Sequence, residues 1–105
     1  MTDQTNDSFR QKVESLMAQL PAGKVTTYGD LAALAGHPYA ARIVGGFAHY
    51  GEDSLPWHRL VNRNGGLANG YPGGMEAQRQ HLAAEHIICT NYVVDNFKEL
   101  RWRPL

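Results

Sequence analysis

The chain has little with which to cross-link itself, cross a bilayer or attract a polyanion. Cys89 is its sole cysteine, which excludes an internal disulfide and any zinc site built from several thiolates, and suits a reducing compartment. No apolar run approaches the ~20 residues of a membrane span, and the polar opening MTDQTNDS has no apolar signal-peptide region. Basic and acidic residues balance at 10 each, so net charge makes no claim on nucleic acid, although neutrality in total leaves room for a local basic patch. Repeats and low-complexity segments are missing as well. His37, His49, His81 and His86 fall at spacings that build no paired metal motif. The expectation is one soluble domain over 1–105, of a size for one modest core, cytoplasmic, monomeric, without a membrane partner, metal or cofactor.

What is present is a set of short amphipathic segments. Phe9, Val13, Leu16, Met17 and Leu20 recur at helical spacing after Asp7-Ser8, with Gln11 placed for a capping box, and the pattern stops at Pro21. A second helix is predicted over 28–35, with Thr27 as its cap, Asp30 three residues on and Gly36 as its stop. A third follows the His37-Pro38 connection over 39–48, with Ile43, Val44 and Phe47 on one side and small residues plus Arg42 on the other. Leu60-Val61 is a brief apolar run, and Asn62-Arg63-Asn64-Gly65-Gly66 signals a turn in a small hairpin or wing. A further helix is predicted over 75–85, with Met75, Leu82 and several alanines as candidate core. The tail holds one short strand at Tyr92-Val93-Val94 and is otherwise irregular. The fold class is therefore mostly α, a helix-turn-helix with a small β-hairpin or wing.

A helix-turn-helix serves DNA recognition or packing alone. The third helix is informative through what it lacks, because readers of the major groove aim Arg, Asn, Gln or Lys at base edges. Ala40, Ala41, Gly45 and Gly46 surround Arg42 instead. Such a face suits close approach to a duplex backbone or minor groove, where one long cation can reach between bases; equally, small residues permit tight helix packing. Pro56-Trp57-His58-Arg59 has the setting of a reactive turn, yet its presented residue is an indole, a hydrogen-bond donor that cannot act as a nucleophile. Trp57 is either a core aromatic or a flat wall against which a base stacks. Three function classes follow: a non-enzymatic DNA-damage sensor, a helix-turn-helix transcription regulator, or an enzyme using Cys89, for which no acid or histidine is placed.

From about Phe9 to His86 the chain resembles the DNA-binding domain of the O6-alkylguanine-DNA alkyltransferases, which move an alkyl group from guanine to the cysteine of a Pro-Cys-His-Arg motif. Gly23-Lys24-Val25-Thr26-Thr27-Tyr28-Gly29-Asp30-Leu31-Ala32 is similar to the segment carrying the helix-turn-helix tyrosine. Ala40-Ala41-Arg42-Ile43-Val44-Gly45-Gly46 is similar to the recognition helix with its arginine finger. Pro56, Trp57, His58 and Arg59 fall on the nucleophile motif, and Glu85 on the glutamate that orients its histidine. The departure is at Trp57, where tryptophan marks the non-catalytic alkyltransferase-like relatives; the Arg101-Trp102-Arg103-Pro104 ending also resembles theirs. The resemblance implies that double-stranded DNA containing O6-alkylguanine is the ligand, bound by base flipping from the minor-groove side. Arg42 then replaces the flipped base, Tyr28 crowds the neighbouring phosphate, and Ala40, Ala41 and Gly45 lie along the groove. Pro56, Trp57, His58, Arg59, Val61, Asn69 and Tyr71 bound the lesion pocket, and His58 with Glu85 is a structural pair. It also implies a nucleoid-associated protein that passes the lesion to nucleotide excision repair proteins.

Overall fold

The computed structural model describes residues 3–51 and 54–104, with the backbone alone for 3–7. Helix α1, Asp3–Gln19, buries Phe9, Val13 and Met17 along one stripe, with Leu20 just beyond its end. It begins four residues before Asp7, so Asp7-Ser8 lies within it rather than capping it. The 3–7 stretch contains neither Pro nor Gly, so nothing stops the backbone from winding back.

Strand β1, Thr26–Thr27, runs directly into α2, Tyr28–Leu34. Thr27 belongs to both: its Cα is in register with Val61, and its Oγ1 accepts the Asp30 N–H at 3.0 Å. Gly36, at φ +94°, ends α2 as predicted, with His37 N–H reaching back to Ala32 O at 2.8 Å, the bond of a left-handed glycine cap. Helix α3 spans Ala41–His49 and starts two residues later than its pattern suggests, because Ala40 N–H closes a turn on His37 O at 3.0 Å. Val44 is buried, but Ile43, grouped with it on one side by its spacing, is 47% exposed.

A 3-10 turn, Trp57–Arg59, leads into β2, Leu60–Val61. The expected turn at Asn62 forms, with the Asn62 carboxamide accepting N–H groups from Asn64 and Gly66. The strand before it pairs elsewhere than in a local hairpin: Leu60 and Val61 lie parallel to Thr26 and Thr27. Helix α4, Gly74–Ala83, buries Leu82 and Gln78, while Ala83 and Ala84 are exposed; the polar Gln78, and not the alanines, occupies the core. The hairpin of the fold is β3, Cys89–Thr90, against β4, Val93–Val94. A short α5, Phe97–Leu100, follows.

The tail, expected to be irregular, is docked. Val25 N–H bonds Leu100 O at 3.0 Å and Trp102 N–H bonds Val25 O at 2.8 Å, while Arg101 grips the Asp30 carboxylate through two bonds of 2.7 and 2.8 Å. A long-range pairing of this kind carries no local periodicity and is invisible to pattern reading. The core has two clusters: one gathers α1, α2, α3, Trp57 and Leu60, and the other Val25, Val61, Leu67, Leu82, Ile87 and Val94. The β1 and β2 pair stands between them. No helix among the described residues is long and apolar enough to cross a membrane.

Thr26 is fully buried, and its Oγ1 has no hydrogen-bond partner among the described residues. An unmatched hydroxyl in an apolar site costs about 1–3 kcal/mol. Thr26→Val keeps the shape, removes that cost and suits a strand better. Urea denaturation is expected to show a gain of about 1 kcal/mol; a loss would mean that the hydroxyl is satisfied in solution.

Candidate functional site

The motif turn is local chemistry hung on a buried strand. Trp57 N–H bonds Leu55 O and Arg59 N–H bonds Pro56 O, both at 2.9 Å, and the next two residues enter β2. Trp57 is 9% exposed, within the first core cluster. Its indole lies against the backbone of Gly51: a Cβ built there would sit 2.5 Å from Nε1 and 2.7 Å from Phe47 O. Only glycine fits at that approach. Trp57 is thus both core aromatic and pocket wall. One of its sides meets a pocket of about 170 Å3 with Tyr28, Gly45, Tyr71 and Pro72. Another meets a wider cleft of about 690 Å3 with Pro56, His58, Arg59, His81 and Glu85.

Glu85 ties the turn to the rest of the molecule. Its carboxylate accepts Arg59 Nη2 at 2.8 Å, Arg59 Nε at 3.0 Å, His58 Nε2 at 2.6 Å and the backbone N–H of Gly23 at 3.0 Å. Arg59 Nη1 donates onward to Leu20 O, at the end of α1, at 2.8 Å. Burial alone would raise the Glu85 pKa, but Arg59, His58 and the Gly23 amide outweigh it and hold the pKa down to about 2. An ionised carboxylate has no proton to give, so the proton in the contact with His58 is on Nε2. The imidazole thereby ties the motif turn to Glu85.

Gln78 was missed by sequence reasoning. It is fully buried, and its carboxamide donates to His58 O at 3.1 Å and Leu60 O at 3.0 Å while accepting Ala68 N–H at 2.8 Å. One side chain therefore clamps the motif turn, β2 and the start of the 68–72 turn that bounds the pocket. A signal was available: Gln78 falls on the same α4 face as Met75 and Leu82, and a polar residue on an apolar stripe is buried only when hydrogen-bonded. Tyr71 Oη and His81 Nδ1 share a bond of 2.5 Å, and burial raises the Tyr71 pKa.

Of the residues singled out from sequence, Tyr28, Gly45, Trp57 and Tyr71 meet at the smaller pocket. Tyr28 packs against the open face of Gly45, where a Cβ would stand 3.9 Å from its ring, and burial raises its pKa. Pro56, His58, Arg59 and Glu85 line the wider cleft. Val61 and Asn69 line neither. Val61 faces the second core cluster because alternation along β2 turns it away from Leu60, and exposed Asn69 lies between the lining residues Ala68 and Gly70. Ala40 and Ala41 are half-buried at the start of α3, and Arg42 is exposed, with no ion pair among the described residues. Cys89 packs beside the second cluster, away from both pockets, its thiol pKa raised by burial and by Asp95 against the opposing pull of Arg79. No group of three or more His, Cys, Asp or Glu side chains able to hold a metal occurs among the described residues.

The two clamps are separable by pH. Glu85 has a depressed pKa of about 2, so its stabilisation is present above the unfolded value near 4.5 and fades as pH falls toward 2. Glu85→Gln is expected to cost on the order of 2 kcal/mol at pH 7, with the gap to wild type closing as pH falls from 4.5 in urea titrations. Gln78→Ala leaves one amide and two carbonyls to find new partners and should cost about 2–4 kcal/mol at every pH. Equal losses from Glu85→Gln at pH 7 and pH 3 would remove the charge from the account.

Comparison with known proteins places this geometry. Residues 8–87 match the family model of the 6-O-methylguanine DNA methyltransferase, DNA binding domain. The DNA base-flipping protein of Escherichia coli strain K12 is 46% identical over 98 residues, covering 91% of this chain and 75% of that one. Alkyltransferase-like protein 1 of Schizosaccharomyces pombe is 32% identical, covering 93% of this chain and 97% of that protein. The crystal structure of S. pombe Atl1 in complex with damaged DNA containing O6-carboxymethylguanine superimposes with a TM-score of 0.80 at 31% identity, over 93% of this chain and 97% of that one. The same small, mostly helical domain with a minor sheet is present in both. With the family match running from α1 through α3, the motif turn and Glu85, the chain belongs to the 6-O-methylguanine DNA methyltransferase DNA-binding-domain family.

Proposed function

We propose that this protein, acting as a monomer, finds O6-alkylguanine in duplex DNA, flips it from the minor-groove side and holds it without transferring the alkyl group. The observation that carries the reading is Trp57, which takes the nucleophile's place in Pro56-Trp57-His58-Arg59 while the network of His58, Arg59 and Glu85 around it stays complete. The scaffold of a reactive turn is kept; its reactive atom is not.

Exposed Arg42 enters the stack where the base has left, and Tyr28, at the first turn of α2, bears on the adjacent phosphate. Ala40, Ala41 and Gly45 keep α3 slim enough for the groove, and Trp57 and Tyr71 face the extruded ring. Flipping costs a few kcal/mol, and least for a damaged, poorly paired base, so selectivity arises without sequence reading. A held but unrepaired lesion has to be removed by other proteins, and nucleotide excision repair is the route that excises a marked base with its strand.

Incubation with duplex carrying O6-methylguanine is expected to leave the protein mass unchanged by intact mass spectrometry, however long it lasts. In mixtures, excess protein should slow repair of the same duplex by an active alkyltransferase. A stoichiometric alkyl adduct would overturn the non-catalytic reading, and undiminished repair at saturating protein would overturn shared lesion recognition. Arg42→Ala should weaken lesion binding by about 1–3 kcal/mol, roughly tenfold or more, as read by fluorescence anisotropy.

A further inference from the structure

The start of α3 presents more than a cation. Between 39 and 44, Ala40 packs on the first core cluster and Val44 is fully buried, so the outward side chains are Tyr39, Arg42 and Ile43. Tyr39 is 100% exposed and Ile43 47% exposed. Single exposed apolar residues need no explanation, but here two large ones bracket a cation without an ion pair among the described residues.

Tyr39 is also held in place. The turn bond from Ala40 N–H to His37 O measures 3.0 Å, and the His37 ring packs edge-on against Phe9 of α1 at 4.9 Å between centroids. The backbone that carries Tyr39 is therefore anchored to the core, and its ring pays little backbone ordering cost on contact. Gly45, one turn after Arg42, lines the pocket, so this edge is continuous with the site.

We infer that Tyr39 and Ile43 form an apolar wedge flanking Arg42, which presses on the deoxyribose edges and the opened base step of duplex DNA while Arg42 fills the gap. The inference rests on the lesion-binding reading above and extends it. Minor-groove proteins insert aliphatic side chains beside a kinked step for this purpose, and the sugar walls of the groove are its apolar surface. A protein partner would match Tyr39 and Ile43 but gain nothing from the cation between them and the pocket one turn away.

The test uses the full chain, a duplex with O6-methylguanine followed by 2-aminopurine, and a matched undamaged duplex, over a salt series. Tyr39→Ala with Ile43→Ala should weaken lesion binding about tenfold, dim the 2-aminopurine unstacking signal, change undamaged binding little, and leave the thermal melt unaltered. Because apolar contacts release no counterions, the slope of log Kd against log salt should match wild type, whereas Arg42→Ala should lower it by about one. Wild-type lesion affinity in the double variant overturns the wedge, and so does a large fall in its melting temperature, which would make the residues structural. If wild type itself does not prefer the damaged duplex, the lesion-binding reading fails first, and the wedge with it.

Discussion

The structure depends on one partly buried carboxylate kept charged by its partners. Glu85 sits just past the end of α4, and its partners come from two other places: the loop after α1 at Gly23, and the motif turn, which contributes His58 and Arg59, the latter carrying the connection on to Leu20. A partly buried charge is tolerable only when it is fully paired, so each of these segments has one acceptable position. Gln78, seven residues earlier and within α4, repeats the arrangement without charge, bonding the motif turn, β2 and Ala68. Between them the two side chains set where Trp57 stands.

From that position follow the pocket and its limits. The β1 and β2 pairing brings Thr27, and with it Tyr28, beside the strand that continues the motif turn. The same short parallel ladder thus joins the helix-turn-helix to the indole. The Glu85 and Gln78 networks hold the motif turn, while the exposed residues of α3, Arg42 among them, form no part of either.

Much of this was readable from residue order. Four helices, the glycine stop at Gly36, the Thr27 cap and the pairing of His58 with Glu85 rest on local spacing or on motif residues, and local rules hold where neighbours in sequence satisfy each other's backbone. What escaped was decided at long range. The partner of Leu60 and Val61 is more than thirty residues upstream, and the tail looked structureless because its hydrogen bonds run to Val25 and Asp30. Ile43 shares the apolar spacing of Val44 and Phe47 yet is exposed, because helical spacing gives the angle between side chains and not which angle faces inward. Asn69 and Val61, which the family resemblance implies at the lesion pocket, line neither hollow: strand alternation turns Val61 to the second core cluster, and Asn69 is exposed.

Gly51 and Trp57 are coupled in a way that bears on how readily the turn could become reactive again. The indole fills space against a bare backbone, with a Cβ at 51 excluded at 2.5 Å. A cysteine in place of Trp57 would recover the thiol but vacate most of that space, beside a residue with no side chain to move into it. The thiol would stand in an enlarged, wetter hollow. Placing a nucleophile at this turn is therefore a problem of two positions, one chemical and one volumetric.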